Sequence, residues 1–175
     1  MKQRIGLWQM AGFVFTAIAG TLLHFLFDFT GGSLPAAVVS AVNESIWEHM
    51  KLIYVPMAVF ALFSHRWMGQ VSEGYWCTKL AGLMLALTLI PVLYYTYTGA
   101  LGMSADWFNV AIFFLAAAAA YRLEAELFLR EEENSRERLC LLLIILIGVT
   151  FLVFTFAPPN IPLFRDPVTG TYGFQ

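Results

Sequence analysis

Charged side chains are scarce in this sequence. Of its 175 residues 13% are charged and 59% are hydrophobic, whereas soluble globular domains have about 45–50% apolar and about 25% charged residues. A chain of this length cannot bury so large an apolar excess in one core, so part of it must face lipid. The composition predicts an integral membrane protein that contacts the bilayer, and we expect no nucleic-acid partner.

Cysteine and histidine are also rare. The two cysteines, Cys77 and Cys140, lack the spacing of a metal site. The topology predicted below places both at cytoplasmic helix ends, where thiols stay reduced. We therefore expect neither a disulfide nor a nucleophile there. The three histidines are scattered, and no His-Glu-x-x-His motif is present.

Long hydrophobic runs dominate the rest of the chain. A membrane helix needs about 20 mainly apolar residues, and five segments qualify: about 5–29, 34–63, 77–97, 105–128 and 139–156. The sequence predicts an all-α polytopic membrane protein, a bundle of five transmembrane helices within residues 1–157. Residues 158–175 would form an extracytoplasmic tail, stiffened by prolines, that folds back on the mouth of the bundle.

Basic residues predict the orientation, because they favour the cytoplasmic side of a membrane. An N-terminus inside and a C-terminus outside places eight of them on the inner side and only Arg165 on the outer side. The eight are Lys2, Arg4, Arg66, Lys79, Arg122, Arg130, Arg136 and Arg138. The acidic run Glu131-Glu132-Glu133 would then be a solvated cytoplasmic extension of the fourth helix.

Ionisable groups inside a membrane span are costly and therefore indicate function. His24 and Asp28 are one helical turn apart on the first segment, on one face. Gly12, Thr16 and Gly20 continue that face, and small residues let a partner helix approach closely. The two polar residues are either an Asp that orients a buried His or a pair with metal-binding or catalytic function.

The densest polar stretch lies in the second segment. In a regular helix Glu44, Glu48 and Lys51 fall on one face, with Ser45 and His49 to one side. Two carboxylates one turn apart in a low dielectric cannot both be charged comfortably. Either Lys51 neutralises one as a structural ion pair, or one carboxyl stays protonated, or a cation bridges them.

The depth of these carboxylates depends on where the helix begins. A helix from residue 34 places them near the middle of the membrane. A short interfacial piece followed by a restart at Asn43, a good N-cap residue, places them near the outer surface, with Glu44 and Ser45 in the first turn. The predicted site opens outward in both cases, and Asn43, Lys51, Asp106, Asn109 and Arg165 are expected to support it or to contact substrate.

Two motifs resemble those of a family of small bacterial multipass membrane proteins of unknown function. One is Asn-Glu-Ser-x-Trp-Glu-His at residues 43–49, and the other is Pro-Pro-x-Ile-x-Leu-Phe-x-Asp-Pro at residues 158–167. The resemblance covers almost the whole chain. It implies the bacterial inner (plasma) membrane and supplies no activity or cofactor.

The first functional hypothesis is a metal-dependent membrane enzyme, a hydrolase of a lipid or lipid-linked substrate. Two histidines with carboxylates form a plausible zinc or iron set, and Ser45 beside His49 is a weaker nucleophile hypothesis. The expected metal ligands are His24, Asp28, Glu48 and His49, with Glu44 as a further carboxylate that could supply a ligand, and the expected catalytic residues are Glu44, Glu48 and Ser45.

Two other hypotheses use the same residues. The carboxylates could serve a proton- or cation-coupled transporter subunit, which would need to form an oligomer to enclose a pathway. Few polar residues lie in the cytoplasmic halves of the spans, and this opposes a continuous route. Alternatively, the polar cluster belongs to a non-catalytic ligand-binding or structural membrane protein.

Overall fold

A computed structural model describes residues 2–69, 74–130 and 136–174. These residues form six α-helices and a short 3₁₀ turn, joined by loops and followed by a tail. The acidic run at residues 131–133 lies outside the described residues. The helices are α1 (Lys2–Phe29), α2 (Leu34–Val39), α3 (Ile46–Met68), α4 (Tyr75–Leu101), α5 (Asp106–Arg130) and α6 (Glu137–Phe156), and the 3₁₀ turn is Pro162–Phe164. The all-α prediction is confirmed.

Four of the helices, α1, α3, α4 and α6, are long and apolar enough to cross a membrane. Much of the apolar surface of α1 and α6 is not covered by the rest of the chain. Soluble monomers rarely expose apolar patches of that extent, so lipid contact is expected there. The fifth predicted span corresponds to α5, whose last turns contain Arg122, Glu124, Glu126 and Arg130, and it does not qualify by composition.

Helix α1 packs against α3 and α5 through a face of small residues. Gly12, Thr16 and Gly20 are buried on this face, as their spacing predicts. A Cβ on Gly12 would lie 2.5 Å from the Tyr121 ring and 2.7 Å from the Phe60 ring. The close approach of the three helices therefore depends on glycine at this position, and it positions the next residue of the series, His24.

The second hydrophobic segment is broken in two, which was one of the two alternatives for it. α2 ends at Val39, and residues 40–45 form a non-helical loop before α3 begins at Ile46. Ser45 is the N-cap, and its hydroxyl accepts a hydrogen bond from the Glu48 N–H. The expectation that Glu44 and Ser45 lie within the helix is wrong, because Asn43 Oδ1 accepts the Ser45 N–H and holds the loop extended.

The prediction for the cysteines is corrected by the structure: Cys77 and Cys140 form a disulfide. Cys77 lies in the first turns of α4 and Cys140 in the first turn of α6, and their Cα atoms are 5.0 Å apart. Glu137 joins the same two helix starts, because its carboxylate accepts the N–H groups of Trp76 and Cys77. The starts of α4 and α6 become adjacent only when the helices pack, so no spacing in the sequence indicates this pairing.

The C-terminal tail packs against the beginning of α3 and the end of α6. Phe164, in the 3₁₀ turn, is buried, with its ring centroid 4.7 Å from that of Trp47 and 5.4 Å from that of Phe154. Further along, the Phe174 N–H donates to the Thr155 carbonyl. These contacts bring the tail to the same end of the bundle as the loop at residues 40–45.

Candidate functional site

Two histidines and a glutamate from different elements meet at this end of the bundle. His24 is in the last turns of α1, Glu44 is in the loop before α3, and His49 is in the first turn of α3. Glu44 bridges the two rings: its Oε2 is 3.5 Å from His49 Nε2, and its Oε1 is 4.0 Å from His24 Nε2. One potential ligand atom from each residue lies within 4.8 Å of the others, so the three form a potential metal site.

The hydrogen bond on His49 sets its ring for ligation. Its Nδ1 is 2.9 Å from the Ser45 carbonyl oxygen, which can only accept, so Nδ1 donates this hydrogen bond and Nε2 is the ring nitrogen directed at Glu44. A carbonyl bonded to the second ring nitrogen is a common support of metal-bound histidine. Ligand atoms around a tetrahedral zinc are ~3.4 Å apart, so these partly exposed side chains need to close by roughly 1 Å.

A cavity of about 290 Å³ lies against this cluster. Glu44 and His49 form part of its lining, together with residues from the end of α4, the beginning of α5 and the tail. Asp106 and Asn109 are also in the lining. Asn109 is held by Tyr97, whose hydroxyl donates to its Oδ1. Glu44 and His49 of the potential metal site therefore line the same cavity as the Asp106 carboxylate.

Asp166 of the tail fixes the loop that carries Glu44. Its carboxylate accepts hydrogen bonds from Val168 and Thr169 and from the Glu44 backbone N–H. Burial acts to raise the pKa of Asp166, but these hydrogen bonds outweigh it and the pKa is lowered below its ordinary value. Sequence analysis missed this residue; the signal was an Asp before a Pro and three residues before a Thr, a turn-forming pattern.

Glu48 and Lys51 form a buried ion pair apart from the two histidines, which is the structural alternative considered above. Lys51 Nζ is 2.6 Å from Glu48 Oε2 and also donates to the Ala37 carbonyl and the Thr155 hydroxyl. Thr155 donates in turn to Glu48 Oε1, and the Val42 N–H donates to Glu48 Oε2. The Glu48 carboxylate is thus occupied by Lys51 of α3, the loop and α6, and the carboxylate beside the histidines is that of Glu44.

Other predicted site residues are placed away from the cluster or have capping roles. Ser45 is buried as the N-cap of α3, and Asn43 Nδ2 donates to the Gly173 carbonyl of the tail. Asp28 is exposed, and the contacts that join His24, Glu44 and His49 do not include it. Arg165 pairs its backbone with Tyr172 and makes no ion pair with Asp28 or Asp106.

The chain belongs to a family of unknown function. The model of that family, DUF6512, matches residues 1–174, which agrees with the resemblance at the level of a family without an assigned activity. No curated protein and no solved structure matches the chain. A function for this DUF6512 member is therefore inferred from the geometry of its described residues.

A second buried ion pair was not anticipated for this DUF6512 chain. Lys79 of α4 binds Glu124 of α5, and both side chains are buried. The rings of Phe60, Tyr75, Tyr121 and Phe128 surround the ammonium at 5.5–5.8 Å. Gly82 leaves the space for this pair, since a Cβ there would lie 2.6 Å from Glu124. A charged residue on the alanine-rich face of α5 was the only sequence signal.

Proposed function

We propose that this protein is a metal-dependent membrane hydrolase with a divalent-metal site formed by His24, Glu44 and His49. The observation that carries the proposal is the convergence of two imidazole Nε2 atoms on one carboxylate at the edge of a cavity. Two His and one carboxylate are a common set for catalytic zinc and for non-haem iron. Three protein ligands leave a coordination position open for water or substrate.

The surroundings favour hydrolysis of a lipid or lipid-linked ester. A divalent metal held there would supply a bound water of lowered pKa, and Asp106 in the cavity lining would contact the substrate. Water oxygen would bond to the acyl carbon, the bond to the leaving oxygen would break, and the leaving group would take the proton that the water loses. The site lies at one end of the helix bundle, where a headgroup can reach it without leaving the membrane.

The proposal includes five membrane crossings, with the tail and the metal site outside the inner (plasma) membrane of a bacterium. α5 has 25 residues, which span about 37 Å at 1.5 Å per residue, enough for a hydrocarbon core of about 30 Å. Its buried charge, Glu124, is neutralised by Lys79, and Arg122, nearer the middle of the helix, pairs with Glu126. The excess of basic residues at the other end favours that end as cytoplasmic.

The disulfide opposes this orientation, because Cys77 and Cys140 are at the basic end and disulfides persist in oxidising compartments. We give the basic residues more weight, since many independent side chains contribute to that asymmetry. The side of the membrane from which the bridge can be reduced in intact cells distinguishes the proposed orientation from the reverse one.

The test is the zinc content and zinc affinity of the detergent-purified protein. We expect about one zinc per chain after reconstitution and hydrolysis of a long-chain nitrophenyl ester that a chelator abolishes and zinc restores. His24→Ala and His49→Ala should each weaken zinc binding at least tenfold, since each removes a ligand. His65→Ala is the matched control, because His65 stacks on Trp76 at the opposite end. Zinc binding that survives the His24→Ala/His49→Ala double substitution would overturn the proposal.

Transport has less support than hydrolysis. The two buried ion pairs, Glu48–Lys51 and Lys79–Glu124, belong to separate networks, and no hydrogen bond among the described residues of those networks links them. A continuous proton route through this chain would need a further connection between the two.

A further inference from the structure

The cavity beside the metal site has an unbalanced charge. Its lining contains the carboxylates of Glu44 and Asp106 but no lysine or arginine. Arg165, the basic residue of the tail, lies along Gly170 instead, and Lys51 is occupied by Glu48. Without a metal, a ligand with an anionic head, such as a phosphate or a fatty-acid carboxylate, would find no lysine or arginine among the described residues of this lining.

The remaining lining is suited to an amphiphile. Ile90, Ile112 and Phe113 supply an apolar wall, and Ser104 and Asn109 supply polar atoms near Asp106. The rings of Tyr94 and Phe113 can also attract a cation. A volume of about 290 Å³ is at the lower end for ligand pockets, so it accommodates a head and the first carbons of one chain.

From this lining we infer that the cavity binds the protonated amine head of a single-chain membrane amphiphile, with Asp106 as its counter-charge. The inference deepens the proposed function by assigning a substrate class to the same site. Glu44 is assigned to the metal in the proposed function, so Asp106 is the carboxylate of the lining assigned to the head. Because a bound divalent metal would itself attract an anionic head, the selectivity of Asp106 is defined for the metal-free cavity.

The experiment compares three probes of equal chain length, octylammonium, octanol and octanoate, on the metal-free, chelator-treated protein in a non-ionic maltoside detergent, so that no metal charge acts on the probes. Dissociation constants are measured by titration calorimetry. Octylammonium should bind about tenfold more tightly than octanoate, since Asp106 is exposed and its field is partly screened. Asp106→Asn should reduce this difference to less than threefold, and the exposed Asp28→Asn should leave it unchanged.

The outcomes distinguish the inference from the proposed function. Octanoate that binds as tightly as octylammonium, or a preference that Asp106→Asn leaves intact, overturns the inference even if zinc binds as expected. A preference for octylammonium that depends on Asp106 supports the inference, and it does so even if His24→Ala/His49→Ala shows that no metal is held. Asp106 is exposed in the first turn of α5, and asparagine is also favourable near a helix start, so the variant is expected to fold.

Discussion

The two buried ion pairs are built in different ways. Glu48–Lys51, near the cavity end, joins residues one turn apart on α3 and is surrounded by hydrogen bonds from α2, the loop and α6. Lys79–Glu124, nearer the basic end, joins two helices and is enclosed by aromatic rings. The first pair fastens several chain segments to α3, whereas the second fastens α4 to α5, the most extensive helix pair of the bundle.

This difference predicts which of the two ion pairs could be replaced by apolar side chains without loss of stability. Buried ion pairs lose much of their attraction to desolvation, and well-packed apolar residues often replace them without loss. That holds where the two charges mainly satisfy each other, as for Lys79 and Glu124. It fails where the charges also satisfy backbone groups, because the Val42 N–H and the Ala37 carbonyl would then be buried without partners.

The largest predicted effect is the loss of one member of the cavity-end pair. Lys51→Met should lower the free energy of unfolding by about 3–5 kcal/mol, because it leaves a buried carboxylate uncompensated. Lys79→Met should fall at the lower end of that range. The measurement is thermal or denaturant unfolding of the purified protein in detergent, followed by circular dichroism and by size-exclusion chromatography of heated samples.

The double substitutions sharpen the comparison. Lys79→Met/Glu124→Leu should recover to within about 1 kcal/mol of the unsubstituted protein, whereas Lys51→Met/Glu48→Leu should not recover. Equal recovery of the two doubles would show that the backbone partners of the cavity-end pair contribute little, and the distinction between the pairs would then be lost.

Sequence patterns predicted contacts between residues that are close along the chain and missed contacts between residues that are far apart along it. The helices, the small-residue face of α1 and the ion pair of Glu48 with Lys51 follow from spacings of three or four residues. The disulfide joins residues 63 apart and Lys79–Glu124 joins residues 45 apart, and no spacing rule reaches that far. Such contacts depend on how the helices pack.

The candidate site shows the same limit. His24 and His49 were chosen because they are ionisable groups in apolar segments, and the structure places their rings 5.3 Å apart. The carboxylate between them was expected to be one of Asp28, Glu44 and Glu48. The break before α3 turns Glu44 towards the histidines, and its geometry depends on the Asp166 turn of the tail, 122 residues later (166 − 44).

The basic end provides a second, smaller effect. Cys77→Ser should lower stability by about 2–4 kcal/mol in the oxidised protein, because the bridge closes a loop of 63 residues. Reductant should lower the unsubstituted protein to the same level and should not affect Cys77→Ser/Cys140→Ser. A reductant effect that persists in that double variant would assign it to something other than this bridge.

Thiol labelling in intact cells tests on which side the bridge lies. With the basic end in the cytoplasm, the bridge should be opened only by a reductant that crosses the membrane, and the released thiols should then react with a membrane-permeant maleimide but not with an impermeant one. A bridge that opens when an impermeant reductant is added outside the cells would reverse the proposed orientation. It would then place the cavity end on the cytoplasmic side.

The smallest effect is at the tail, where Asp166 fastens the loop that carries Glu44. Burial opposes the charge of Asp166 and its hydrogen bonds favour it, with a net lowering of the pKa. A carboxyl whose folded pKa is lowered contributes stability above its unfolded value, ordinarily 3.8, and loses it as pH falls through the folded value. Asp166→Asn should therefore cost about 1–2 kcal/mol at neutral pH, and the difference from the unsubstituted protein should shrink as pH falls below 3.8. Melting temperatures of both proteins across that range, with the exposed Asp28→Asn as control, provide the measurement.

The same substitution tests whether the tail supports the proposed metal site. Because Asp166 accepts a hydrogen bond from the Glu44 backbone N–H, Asp166→Asn should also weaken zinc binding. A loss of stability without any change in zinc affinity would show that the tail does not position Glu44 for the metal.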